Sequence, residues 1–140
     1  MSRILNLGKL LLAFMVVAAP VWADAPAGIV AHHGKVFETE KAGLDTKGFI
    51  EIDNFSGSPD TLTNVACPIA DATSIVSAGG QPISSLTVAP GQSLVMAANG
   101  PHLVLQSTHF SIDQGGAIPC SLTFQNAGVV SAYLYPETAP

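Results

Sequence analysis

Gly48-Phe49-Ile50-Glu51-Ile52-Asp53-Asn54 alternates apolar and acidic side chains residue by residue. In extended backbone successive side chains point to opposite faces, so Ile50 and Ile52 share one side and Glu51 and Asp53 the other. This is the pattern of a half-buried strand. It stops at Asn54, before the turn-forming run Ser56-Gly57-Ser58-Pro59-Asp60. Outward from it, Thr61 to Ala66 forms a second strand candidate, in which Leu62 repeats poorly against Val65. Leu86 and Val88 begin a third, which Pro90-Gly91 terminates. Leu94 and Met96 are expected to face Leu103 and Leu105 in a hairpin turned at Asn99-Gly100. Ile118 to Phe124 and Val129 to Tyr135 complete the set, joined through Asn126-Ala127-Gly128. No stretch from Asp24 onward shows sustained helical periodicity, so the expected class is all-β, a Greek-key sandwich or barrel.

The chain has 140 residues, 48% of them hydrophobic and 11% charged, with a formal net charge of -5. That balance supplies no basic run for nucleic acid or for an anionic membrane surface. Part of the hydrophobicity belongs to a leader. Arg3 and Lys9 precede the apolar run Leu10 to Ala19, and Val21-Trp22-Ala23 suits signal peptidase, so residues 1–23 form an expected signal peptide cleaved after Ala23. The apolar run is shorter than the ~20 residues of a spanning helix. Residues 24–140 are then expected to form one exported domain, with three cations against ten acidic groups. Between Asp71 and Asp113 lie 41 residues with no Asp, Glu, Lys or Arg.

Cys67 and Cys120 both fall in the exported part, where an oxidising compartment favours a disulfide. Closing a loop of about 54 residues restricts the unfolded chain by roughly 4 kcal/mol in the chain-entropy description. Two separate buried thiols are the rival reading. Enzymatic motifs are missing: there is no Gly-x-Ser-x-Gly elbow and no phosphate-cradling Gly-rich loop before a helix, and Gly79-Gly80 and Gly115-Gly116 suit turns. Glu38, Glu40, Glu51 and Asp53 suit a solvated strand face. No enzyme is expected.

From Gly48 to Tyr135 the chain resembles the periplasmic copper chaperone family of the PCu(A)C type. The resemblance rests on Gly48 to Asn54, Asp60-Thr61-Leu62 leading to Val65, Leu86-Thr87-Val88-Ala89-Pro90-Gly91-Gln92, Asn99-Gly100-Pro101-His102-Leu103-Val104-Leu105, and Ile118 to Phe124 with Ala127-Gly128. It implies a cupredoxin-like Greek-key β-sandwich, copper as the bound ion, and a periplasmic or membrane-bound acceptor protein. The family binds Cu(I) through two His and two Met, a neutral set that suits a soft cation. His102 matches the His of the family's His-x-Met pair, but the residue two further on is Val104. The intervening Met falls on Gly80 and the first His maps near Ser77. Met96 shares a strand face with Leu94, where Met is usually a core filler.

His102 is therefore either a ligand or a histidine bonded to a turn. His32, His33 and His109 are the other candidates; they could converge with His102 at one end of the sandwich, and imidazoles alone favour Cu(II), Zn or Ni over Cu(I). The adjacent pair His32-His33 also suits an exposed loop. Two functions follow: a copper carrier with a rearranged ligand set, and a metal-free relative that binds partners through a sheet edge or its hairpin surface.

Overall fold

The structure is a computed structural model that describes residues 28–140. The leader and its cleavage point lie outside the described residues. Nine strands and no helix are formed among them: β1 (Ile29–Phe37), β2 (Thr46–Asn54), β3 (Asp60–Ala66), β4 (Ala70–Val76), β5 (Leu86–Val88), β6 (Ser93–Val95), β7 (His102–Thr108), β8 (Ile118–Phe124) and β9 (Gly128–Glu137). Hydrogen bonding runs in the order β4-β7-β2-β1-β9-β8-β3-β5, with β6 on β2. All pairs are antiparallel except β1 with β9.

The curled sheet closes over one core. Gly48, Ile50 and Ile52 of β2 and Leu103 and Leu105 of β7 are buried on one side, and Leu62, Leu122, Phe124 and Leu134 on the other. Each such aliphatic or aromatic side chain contributes roughly 1.5–3 kcal/mol on full burial. The irregular Leu62–Val65 spacing has a physical cause. Leu62 pairs with Phe124 and Asn64 with Thr123, a β-bulge that returns Val65 to the core after three residues rather than two.

The expected pairing of Leu94 and Met96 with Leu103 and Leu105 is not formed. β7 pairs with β2 over Thr46–Gly48 and β6 pairs with the same edge of β2 over Glu51–Asp53, so the two short strands follow one another along β2. The connection still turns tightly, with Ala97 N–H donating to Pro101 O and Gly100 N–H to Ala97 O. Met96 is buried at 4% exposure and belongs to the core.

Two buried polar residues anchor the turns. The Asn54 amide donates to Ser58 O and Val88 O, and its carbonyl accepts from the Ser56 N–H and hydroxyl. Asp60 accepts the backbone N–H groups of Thr61, Asn126 and Ala127. With these groups satisfied, burial costs little. Cys67, just after β3, is bonded to Cys120 of β8, with Cα atoms 4.3 Å apart. Of the two sheet edges, β5 has three residues. The other, β4, is partly covered by the segment that bridges Val76 to Pro82 and donates Ile83 N–H to Ile75 O. Among the described residues no helix is long and apolar enough to cross a membrane.

Candidate metal centre

β1 carries a bulge at its two histidines. His32 lies opposite Glu51 and Lys35 opposite Phe49, three steps on β1 against two on β2. His33 takes up the extra residue at φ +49, in the left-handed region. Gly34 follows because β1 passes tightly over β9 there: a Cβ at Gly34 would stand 2.1 Å from the Tyr133 carbonyl oxygen. In a regular strand adjacent side chains face opposite ways. The bulge instead turns both imidazoles to the β2 face that carries Glu51 and Asp53, with ring centroids 4.5 Å apart.

Three atoms form a small triangle. His32 Nδ1 is 2.9 Å from His33 Nδ1, His33 Nδ1 is 2.8 Å from Glu51 Oε2, and His32 Nδ1 is 3.6 Å from Glu51 Oε2. His32 Nε2–H donates to Asp53 Oδ2 at 2.5 Å, which fixes its tautomer and leaves Nδ1 with a lone pair. The His33 and Glu51 atoms of the triangle are likewise nitrogen and oxygen donors of the kind that bind divalent metals. Nitrogen or oxygen donors bound tetrahedrally at about 2.0–2.1 Å lie roughly 3.3–3.4 Å apart, so a few tenths of an ångström of adjustment would admit a cation between the three atoms.

Asp53 is held as a carboxylate. The Ser93 hydroxyl, the largest cause, holds it below the ordinary Asp value against burial, the next largest, and the His32 hydrogen bond and the charge of His32 and His33 when protonated add to the lowering. The order Ser93–Asp53–His32 places the carboxylate in the middle, so no imidazole faces the hydroxyl and this is not a nucleophilic triad. The triangle is accessible: side-chain exposure is 32% for His32, 34% for Glu51 and 70% for His33. His33 and Glu51 stand in the wall of an open groove of about 790 Å³, also lined by Val95, Met96 and Tyr135.

The other predicted residues stand apart. His102 is 2% exposed, donates from Nδ1 to Gly100 O at 3.0 Å, and packs against Phe49 with ring centroids 5.9 Å apart. His109 lies beyond the opposite end of β7, seven residues or about 23 Å of strand away, and donates from Nε2 to Asp71 Oδ1 at 2.7 Å. The four histidines therefore do not meet at one point. His32 and His33 stand in a strand, not in a loop. The partners missed in sequence are Glu51, Asp53 and Ser93. The shared face of Glu51 and Asp53 was visible there, but the register that sets it against His32 was not.

These features define a cupredoxin-like β domain with a polar His-His-Glu cluster on one face. The family described as "Putative lipoprotein LpqE-like" matches residues 17–134, and the chain belongs to this LpqE-like family. Its fold is that of PCuAC domains. The copper-bound PCuAC domain from PmoF2 superposes with a TM-score of 0.72 at 20% identity, over 83% of this chain and 97% of that one. The apo PCuAC domain from PmoF1 gives 0.72 at 17%, over 82% and 98%. The Cu(I) form of a Deinococcus radiodurans protein, DR1885, gives 0.60 at 17%, over 81% and 80%. No curated protein matches the chain. Both cysteines are occupied by the disulfide, so neither is free for lipid attachment.

Proposed function

We propose that this protein is an exported copper carrier of the chaperone class, a single domain released from its leader after Ala23 into the periplasm. It holds the ion at His32, His33 and Glu51 and hands it to a periplasmic or membrane-bound acceptor by ligand exchange. The observation that carries the reading is the triangle of possible donor atoms, His32 Nδ1, His33 Nδ1 and Glu51 Oε2, that lie 2.8 to 3.6 Å from one another. Family membership and the likeness to PCuAC domains support copper as the cargo. The His–Met arrangement of that class does not fit here, because His102 is buried on a carbonyl, Val104 has no donor atom and Met96 is in the core. His102 and His109 are given no part in binding.

Transfer follows from exposure. A ligand from the acceptor can approach from the groove while His33, the most exposed donor, leaves, so the ion is never free of protein. Competition with a chelator on the mature, tag-free protein tests this. His102→Ala should leave copper affinity within about twofold, while His32→Ala with His33→Ala should lower it at least about 100-fold, and release should speed up with chelator concentration. The opposite pattern of mutant effects would refute the proposal.

A further inference from the structure

We infer that this site is built for a divalent ion, so that copper is carried as Cu(II) and zinc competes for the same donors. The inference rests on the copper-carrier reading and adds which form of the ion the site accepts.

The donor set is two imidazole nitrogens and one carboxylate oxygen. Cu(I) is selected by soft sulfur, whereas imidazole and carboxylate suit divalent copper and zinc. Among the described residues neither kind of sulfur is free to ligate. Met96 borders the groove but is 4% exposed and packs in the core, and Cys67 and Cys120 are tied to each other in a disulfide beyond β9 from the site.

Charge acts in the same direction. Glu51 places one carboxylate in the triangle and Asp53 a second directly behind His32. The attraction of a fixed anion for a cation scales with the cation's charge, so the pair favours a divalent over a monovalent ion about twofold in Coulomb energy. Asp53 also supplies the carboxylate–histidine–metal relay that orients a ligating imidazole and raises its basicity. Ser93 pins that carboxylate from its other oxygen.

Geometry assigns unequal roles. His32 is held at both ring nitrogens, by Asp53 and by the triangle, so it is the anchoring ligand. His33 is held at one and is the exchangeable ligand. Three donors on one side leave the groove side open, as four-coordinate N/O sites completed by solvent or an incoming ligand require.

The test is a parallel chelator-competition titration of the full mature protein with Cu(II), Zn(II) and, under anaerobic conditions with ascorbate, Cu(I). It is repeated with Glu51→Gln, Asp53→Asn and His32→Ala/His33→Ala. Cu(II) should bind most tightly and Zn(II) at least tenfold more weakly, both lost in the double variant. Asp53→Asn, whose fold is checked by circular dichroism, should weaken both divalent ions by about 10–100-fold. Ascorbate should release the bound copper to a Cu(I) chelator.

Cu(I) held more tightly than Cu(II) by the same residues would overturn the divalent assignment and leave the carrier reading standing. Zn(II) bound by these residues with no copper affinity would uphold a divalent site and overturn the carrier reading. Divalent affinities unchanged in all three variants would overturn the site itself.

Discussion

His33 holds a conformation that non-glycine residues rarely adopt, and the strain has a use. A left-handed residue costs on the order of 1–2 kcal/mol relative to ordinary backbone, yet it turns the second imidazole to face the first. His33→Gly should therefore keep or raise the stability of the apo protein by up to about 1 kcal/mol in urea unfolding, while lowering Cu(II) affinity at least about tenfold. A stability loss above 1 kcal/mol would show that His33 is a structural residue. At this scale the sequence showed the ingredients and not their assembly. His32 and His33 were visible as donors, and the two-residue spacing put Glu51 and Asp53 on one face. Their meeting depends on a register between β1 and β2, separated by 18 residues between His33 and Glu51, that no local pattern encodes.

Elements were legible where burial imposed a strict period. β2 announces itself because one face is core and most of the other is partly solvated. β1 does not, because its bulge breaks the alternation at the site. β4, with Asp71, Thr73 and Ser74 among small residues at a sheet edge, lacks the strong apolar repeat. The expected β6–β7 hairpin failed for a related reason. Asn99-Gly100 specifies a turn, but which strand receives each arm is decided by β2, whose long edge accommodates both in succession. The β1–β9 crossing is the element on which the site depends. Gly34→Ala would drive a methyl group against the Tyr133 carbonyl, which the ladder holds in place. The expected cost is about 3 kcal/mol, read as a lowered unfolding midpoint. An unchanged midpoint would mean that β1 and β9 can separate freely, and that the bulge is not fixed by their contact.

The molecule as a whole separates its scaffold from its chemistry. The curled sheet, the Cys67–Cys120 bond and the polar anchors Asn54 and Asp60 serve the fold. The 41-residue interval without formal charge lies where the resembled family keeps neutral soft ligands, and in this chain its histidines are bonded to a carbonyl and to Asp71. The charged half of the sequence supplies Glu51 and Asp53 instead, beside the two imidazoles of β1. The acidity that excluded anionic partners thus includes the carboxylates suited to a cation.

The central claim is that one Cu(II) ion is held by the two imidazoles of His32 and His33. Electron paramagnetic resonance of the mature protein loaded with one equivalent of Cu(II) tests it most directly. The account predicts nitrogen couplings from two histidine rings that disappear in His32→Ala/His33→Ala and persist in His102→Ala. A spectrum unchanged by the double substitution, or abolished by His102→Ala in a folded protein, would contradict it.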